Sequence, residues 1–162
     1  MPVYSAGLVM YNNTGDDLKI FLVHPGGPFF SKKDEGYWGI PKGLIETDED
    51  HLNAAKREFE EETGIKPEGK FISLGTTKQS NNKIVYAWAF ETNKTGPIDI
   101  TCNLFEMEWP PHSGKKQQFP EVDRGAFFSV NEARKKVYSA QEIFIDKLIE
   151  YLKDKYNKKR QG

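Results

Sequence analysis

The chain has 162 residues, of which 37% are apolar and 13% aromatic, and this content is sufficient for one compact domain with a buried core. Its 23 basic residues nearly balance its 24 acidic residues, so the net charge of -1 excludes a global attraction to nucleic acid or to an anionic membrane surface. Any affinity for phosphate groups has to come from local clusters of charge.

Cysteine usage and the lack of targeting patterns lead us to expect a cytoplasmic protein. Cys102 is the single cysteine, so an internal disulfide is excluded. The amino-terminal residues lack the basic start and long apolar run of a signal peptide, and no segment reaches the ~20 apolar residues of a membrane span. The histidines stand at spacings unlike those of a zinc site, so we expect no zinc.

The beginning of the sequence predicts a β-hairpin and a long loop. Residues 3–11 and 18–24 are apolar and β-branched, and the polar residues between them are typical of a turn. Residues 24–36 are rich in Pro and Gly, which predicts a loop without regular structure. Residues 37–40 then fit a short strand, and residues 41–43 fit a turn.

A helix is predicted after this turn. Thr47 or Asp48 fits the N-cap position, and Gly64 fits the end of the helix because Pro67 cannot continue it. Three apolar residues recur at helical spacing and would pack the helix on a sheet: Leu52, Ala55 and Phe59.

The same helix carries an acidic face. Glu58, Glu61 and Glu62 stand at positions i, i+3 and i+4, which places them side by side on a helix. Like charges at this spacing cost about 0.2 to 0.5 kcal/mol per pair, so the cluster indicates a bound cation. Ligands that are all oxygen favour a hard cation, and we expect Mg²⁺, with Mn²⁺ as the alternative.

The second half of the chain alternates strands with loops. Strand patterns occupy residues 70–77, 83–90, 104–109 and 125–130, and a turn is predicted at residues 80–82. A loop rich in Pro, Gly and Lys separates the last two strands.

The chain is predicted to end in an amphipathic helix over residues 139–156. We expect one domain, residues 1–157, followed by a frayed and solvated basic tail, residues 158–162. Strands on both sides of one acidic helix, with a second helix at the end, indicate an α/β or α+β sandwich.

Nine residues resemble the Nudix hydrolase signature, in which fixed gaps separate Gly, Glu and the run Arg-Glu-apolar-any-Glu-Glu-any-Gly-apolar. Every fixed position and both gaps are filled: Gly43, Glu49, Arg57, Glu58, Phe59, Glu61, Glu62, Gly64 and Ile65. Such a match is far more specific than a lone glycine-rich triplet. The resemblance implies a Nudix-type α/β/α sandwich around a mixed β-sheet, and a pyrophosphohydrolase that acts on phosphorus-containing acid anhydrides.

The resemblance also implies a ligand set. The family's carboxylates hold one to three divalent ions, which implies Glu58, Glu61 and Glu62 as ligands, joined by the main-chain carbonyl of Lys42. Arg57 is placed to orient a carboxylate through a salt bridge, and Glu49 is expected to support it.

Many Nudix enzymes add a further carboxylate from a loop before a late strand, as a metal ligand or as the base. Alignment of the segment AFFSVNEA with the family's usual strand and helix start assigns this role to Glu121, with Glu106, Glu108 and Asp123 as rivals. The sequence leaves open whether Glu58 or Glu121 deprotonates the water.

Four residues are candidate substrate contacts. Lys42 directly precedes the motif glycine, and its side chain is a candidate phosphate ligand. Lys116 belongs to a loop that would flank the site. Phe30 and Trp38 are candidates for stacking on a nucleobase.

The wider pattern resembles a bacterial Nudix subgroup described as predicted nucleoside triphosphate pyrophosphohydrolases. It implies Mg²⁺-dependent hydrolysis of a diphosphate bond in a nucleoside diphosphate linked to another group, with a small nucleotide as partner. The stretch WGIPKG also resembles that of diadenosine tetraphosphate hydrolases, so a dinucleoside polyphosphate hydrolase is the alternative. A module that senses a nucleotide without cleaving it is the alternative from another class. The oligomeric state stays open.

Overall fold

The computed structural model describes residues 2–15, 17–79 and 82–161. Its strands are β1 (Val3–Asn12), β2 (Lys19–Pro25), β3 (Lys42–Leu44), β4 (Ile72–Gln79), β5 (Lys83–Glu91), β6 (Leu104–Glu108), β7 (Lys116–Pro120) and β8 (Val122–Ser129). Its helices are α1 (His51–Thr63), α2 (Val130–Lys136) and α3 (Glu142–Gln161), with a short 3₁₀ helix at Ser139–Gln141. None of the helices in the described ranges is long and apolar enough to cross a membrane.

Strand β1 lies at the centre of a six-stranded mixed sheet. The strand order is β4-β5-β1-β2-β8, and β3 also pairs with β1. The pairing of β1 with β5 is parallel, from Val3 opposite Lys83 to Tyr11 opposite Glu91, whereas the other pairings are antiparallel. The predicted mixed sheet is confirmed.

The two faces of the sheet bury separate apolar cores, because alternate side chains of a strand point to opposite faces. One core joins β1 to α1 through Ala6, Leu8, Met10, Ala54, Ala55 and Phe59. The other joins β1 to α3 through Val9, Tyr11, Phe144, Ile145 and Leu148. The predicted sandwich of a sheet between helices is confirmed, and Phe59 from the predicted apolar stripe is fully buried.

The strand predictions were correct except where pairing with a distant segment decides the structure. The hairpin of β1 and β2 and the pair β4–β5 are confirmed. Residues 37–40 form isolated bridges instead of a strand, and the predicted turn at residues 41–43 is mostly β3, which pairs with β1. The loop predicted before the last strand contains β7, which pairs with β6. The turn predicted at residues 80–82 lies largely outside the described residues.

The ends of two helices differ from the predictions. The N-cap of α1 is Asp50, not Thr47 or Asp48, and its carboxylate accepts a hydrogen bond from the Asn53 amide at 3.1 Å. Gly64 ends the helix in the left-handed conformation, with φ 79°, as predicted. Helix α3 continues to Gln161, so the segment predicted to fray is helical, although residues 153–160 are exposed as expected. Gly162, the last residue of the predicted tail, lies outside the described residues.

The Asp50 cap gives a stability prediction. Asp50→Ala removes the acceptor for a helix N-terminal amide and is expected to lower the free energy of unfolding by about 1 kcal/mol, whereas Asp50→Ser keeps an acceptor and most of the stability. Urea unfolding of the two variants measures the difference. Equal stability of Asp50→Ala and Asp50→Ser would contradict the assignment.

Candidate active site

Helix α1 and strand β3 approach each other so closely that the Glu58 carboxylate lies against the backbone of Gly43. A Cβ atom built on Gly43 would lie 2.0 Å from Glu58 Oε2. Only a residue without a side chain leaves this space to the carboxylate. The motif glycine therefore determines where Glu58 lies.

Glu62 is bound to the same strand. Its Oε2 accepts a hydrogen bond from the Lys42 amide at 3.1 Å. Burial raises the pKa of the Glu62 carboxyl to about 8, and the Lys42 amide and ammonium only partly oppose that change. Burial also raises the pKa of Glu58, against the effect of Arg57. Burial is thus the main reason why both carboxyls hold a proton more tightly than usual.

The Arg57 guanidinium organises the acidic face. It binds Glu49 through two hydrogen bonds, with Nε 2.8 Å and Nη2 2.9 Å from the two carboxylate oxygens. Its Nη1 also donates to Glu58 at 2.8 Å and to Glu61 at 3.2 Å, and its Nη2 donates to the Leu44 carbonyl at 3.0 Å. The hydrogen bonds from Arg57 lower the pKa of the Glu49 carboxyl to about 2. Arg57 thus joins carboxylates of the helix to one in the loop before it, and the supporting role of Arg57 and Glu49 in the site stays a prediction.

Glu121 lies close enough to the acidic helix for its charge to act on two of the helix carboxylates. It lies between β7 and β8, and its negative charge contributes to the raised pKa of both Glu58 and Glu62. Its amide donates to the Asn103 carbonyl at 3.0 Å, and its carbonyl accepts from the Gly26 amide at 2.9 Å. These bonds fix the backbone and leave the carboxylate exposed.

The three rivals of Glu121 are paired with other groups. The Glu106 carboxylate lies 3.7 Å from Lys116, and the Glu108 carboxylate accepts from the His112 amide at 2.7 Å. Asp123 lies 2.8 Å from His24.

A cavity of about 760 Å³ opens beside these acids. One part of its wall carries Lys42, Glu62 and Glu121. Burial lowers the pKa of the Lys42 ammonium, and the negative charge of Glu62 opposes this change. Other lining residues had no motif in the sequence to mark them, and they come from β4, α2, the 3₁₀ helix and their connections: Gln79, Arg134, Lys135, Tyr138 and Gln141. The cavity wall therefore carries acidic, basic and amide side chains.

Aromatic residues line the same cavity. Phe30 and Tyr37 are 38% and 43% exposed, and their ring centroids are 6.2 Å apart. Trp38 also lines the cavity, but its ring is only 4% exposed and packs edge-on against Phe128 at 4.9 Å. Stacking surface is thus offered mainly by Phe30 and Tyr37. Lys116 lies on β7 with an exposed side chain and is not one of the lining residues, so its contact with substrate stays a prediction.

The carboxylates suit a hard divalent cation in chemistry but are not gathered around one point. Within residues 2–15, 17–79 and 82–161, no three His, Cys, Asp or Glu side chains converge as a ready metal cluster. The contacts explain this: Glu58 and Glu61 bond to Arg57, and Glu62 bonds to the Lys42 amide. The donors are carboxylate oxygens, and a divalent cation would favour their ionised form against the effect of burial, so the donor set fits the group.

Comparison with known proteins gives a family match over most of the chain. The family model described as NUDIX domain matches residues 1–148. No curated protein sequence matches the chain.

Solved structures share the fold. A binary complex of the C. elegans Ap4A hydrolase has a TM-score of 0.68 and 21% identity, covering 93% of this chain and 98% of that one. The NUDIX domain of Shewanella oneidensis NrtR complexed with ADP ribose has a TM-score of 0.64 and 17% identity, covering 94% and 89%. A mutT/nudix family protein from Listeria innocua has a TM-score of 0.63 and 16% identity, covering 96% and 98%. At identities this low, the structural similarity shows a common fold only.

The raised pKa of Glu62 predicts how the metal-free protein responds to pH. The folded protein binds a proton at Glu62 with a pKa of about 8, against the ordinary value of 4.5, so this proton stabilises the fold below pH 4.5. The contribution is lost as the pH rises through about 8, and we expect the free energy of unfolding to fall by a few kcal/mol across this window.

Urea unfolding in the presence of a chelator, over this pH range, measures the effect. Glu62→Gln is expected to flatten the profile, whereas Glu60→Gln, at an exposed position of the same helix, should keep the slope of the natural protein. A Glu62→Gln profile as steep as that of Glu60→Gln would show that Glu62 is not the group that titrates.

Proposed function

The chain belongs to the Nudix hydrolase family, and we propose that it catalyses Mg²⁺-dependent hydrolysis of a diphosphate bond in a nucleoside diphosphate linked to another group. The observation that carries the proposal is the set of Glu58, Glu61 and Glu62, oriented by Arg57 and the Lys42 amide beside a cavity that also exposes aromatic rings. The charged lining residues suit a metal-bound diphosphate, and the exposed rings suit a flat, apolar base.

The residues that would hold the metal are Glu58, Glu61 and Glu62, with the Lys42 carbonyl and Glu121. When bound, a divalent cation neutralises charge on the diphosphate and makes a water molecule a better nucleophile. Members of the family generally use divalent cations, and the preference for Mg²⁺ rests on the all-oxygen donor set.

Two carboxylates are candidates for the general base, and the structure supports each in a different way. Glu58 has a pKa raised by burial, which brings it nearer to the operating pH, where a base works best. Glu121 is exposed, has a fixed backbone and stands close enough to affect the pKa of Glu58 and Glu62. Either carboxylate would accept the proton that the attacking water loses.

Substrate recognition is divided between charge and ring stacking. The Lys42 ammonium lies in the cavity wall beside Glu62, where it would bind a phosphate oxygen. Phe30 and Tyr37 would stack on the base, while the buried Trp38 packs against Phe128 and offers little ring surface. The rest of the substrate would contact the wall formed by Arg134 and Lys135.

A second candidate function is a dinucleoside polyphosphate hydrolase. The observation that favours it is another aromatic pair next to Phe30: Phe29 is exposed and lies 5.5 Å from Trp109, edge to face. A second base would have its own ring surface there. Faster cleavage of a symmetric dinucleoside tetraphosphate than of plain nucleoside triphosphates would support this candidate, and equal or slower cleavage would remove it.

The carboxylates give the main activity prediction. Glu58→Gln, Glu61→Gln and Glu62→Gln are each expected to lower kcat on the preferred nucleotide by roughly 100-fold or more, because each removes a negative donor for the cation. Glu60→Gln is the matched control and should retain natural kcat. Turnover of a nucleotide panel with saturating Mg²⁺ measures the effect, and natural turnover in all three variants would remove the proposed site. Tight nucleotide binding with no divalent-dependent turnover in the natural protein would instead support a sensor.

The close contact at Gly43 gives a second activity prediction. Gly43→Ala places a methyl group where the Glu58 carboxylate lies, so we expect kcat to fall at least roughly tenfold while the free energy of unfolding changes by no more than about 1 kcal/mol. Gly15→Ala is the control, since a Cβ atom on Gly15 meets no atom within 4 Å. A Gly43→Ala enzyme with natural kcat would show that the position of Glu58 does not matter.

A further inference from the structure

His24 is fully buried, and both of its ring nitrogens have a partner. Its Nε2 lies 2.7 Å from the Lys33 carbonyl, and its Nδ1 lies 2.8 Å from the Asp123 carboxylate. The first partner can only accept a hydrogen bond, and an ionised carboxylate can only accept as well. The imidazole therefore links the Lys33 carbonyl to the Asp123 carboxylate from a position closed to solvent.

The two partners of His24 belong to different parts of the chain. Lys33 lies in the loop between β2 and β3, and Asp123 lies at the start of β8. Trp38 packs against the imidazole edge to face, with ring centroids 5.2 Å apart. Arg124 also approaches Asp123, with its Nε 3.5 Å from the carboxylate. His24 thus joins three segments at one buried point.

The loop that His24 contacts lies between β2 and β3, and it carries the exposed aromatic rings of the cavity. Phe30 precedes Lys33 by three residues, and the Lys33 amide donates to the Phe30 carbonyl at 2.9 Å. The ends of the loop have their own anchors: the Gly26 amide donates to the Glu121 carbonyl, and the Gly36 amide donates to the Lys136 carbonyl at 3.0 Å. The bond from His24 to Lys33 therefore holds the middle of the loop, next to Phe30.

We propose that His24 is a positioning residue that holds the loop of residues 26–36 and its Phe30 ring against the substrate cavity. The proposal rests on the proposed function in that the cavity is taken to be the nucleotide site. His24 itself does not line the cavity, so its effect on substrate passes through the loop. Loosening the loop weakens stacking on the base and leaves Glu62 and Glu121 in place.

The first test does not depend on activity. Trypsin under native conditions reports on the loop, because the Lys33 carbonyl that His24 contacts belongs to the peptide bond cleaved after Lys33. Cleavage after Lys32 and Lys33, followed by mass spectrometry, is expected to be roughly tenfold faster in His24→Gln, which loses the imidazole contact with the Lys33 carbonyl.

Asp123→Ala provides a variant that leaves His24 and the core intact and removes only the carboxylate partner. Asp99→Ala is its matched control, since Asp99 is also exposed. We expect Asp123→Ala to speed cleavage of the loop, and Asp99→Ala to leave it unchanged. If His24→Gln does not fold, the comparison of these two variants decides the matter.

Kinetics distinguish positioning from a purely structural role. His24→Gln and Asp123→Ala should raise KM for the preferred nucleotide roughly tenfold and change kcat less than about threefold, because the loop acts on binding. A loss of folded enzyme would instead lower the apparent kcat and leave KM unchanged, which would overturn the proposal. Equal cleavage and equal KM in Asp123→Ala and Asp99→Ala would also overturn it. Absence of turnover in the natural protein would count against the proposed function, while the trypsin results would still decide the role of His24.

Discussion

The site depends on the hydrogen bonds of one guanidinium. Arg57 bonds to Glu49 in the loop before α1, to Glu58 and Glu61 on the helix, and to the Leu44 carbonyl at the end of β3. Because the planar guanidinium donates in fixed directions, it sets the orientation of each carboxylate relative to the strand. Burial raises the pKa of Glu58 and Glu62 in spite of the positive charges nearby. A divalent cation would favour the ionised form of both carboxylates.

The sheet brings the rest of the site to these carboxylates. Strand β3 pairs with β1, and β1 packs on α1, so the Gly43 backbone meets the helix face that carries Glu58. Strand β2 leads into the loop with Phe30 and pairs with β8, whose start follows Glu121. Charge and aromatic surface thus reach one cavity from segments far apart in the sequence. The buried His24 adds a connection between two of those segments, the loop and the start of β8.

The parts of this arrangement that follow from local spacing could be predicted from the sequence. The acidic face of α1, its apolar stripe and its end at Gly64 depend on helical periodicity and on one glycine with a positive φ. The start of the helix was predicted wrongly because several neighbouring residues can all serve as an N-cap. The path of the chain after β3 places Asp50 in that position. Strands β3 and β7 are short, and pairing with β1 and β6 stabilises them, so their own residues gave too little signal. Arg134 and Lys135 reach the cavity because of the way α2 packs. Residue spacing in the sequence does not predict that packing.

We propose that this chain hydrolyses a diphosphate bond with the carboxylates that Arg57 orients. Hydrolysis of a mixed nucleotide panel in ¹⁸O-labelled water, with Mg²⁺ present, tests it most directly, because the product identifies the substrate and the labelled phosphorus identifies the point of attack. We predict that a nucleoside diphosphate derivative is cleaved with one ¹⁸O atom in one phosphate-containing product, and that a chelator stops the reaction. Intact nucleotides across the panel, or cleavage that continues unchanged in the chelator, would contradict the account.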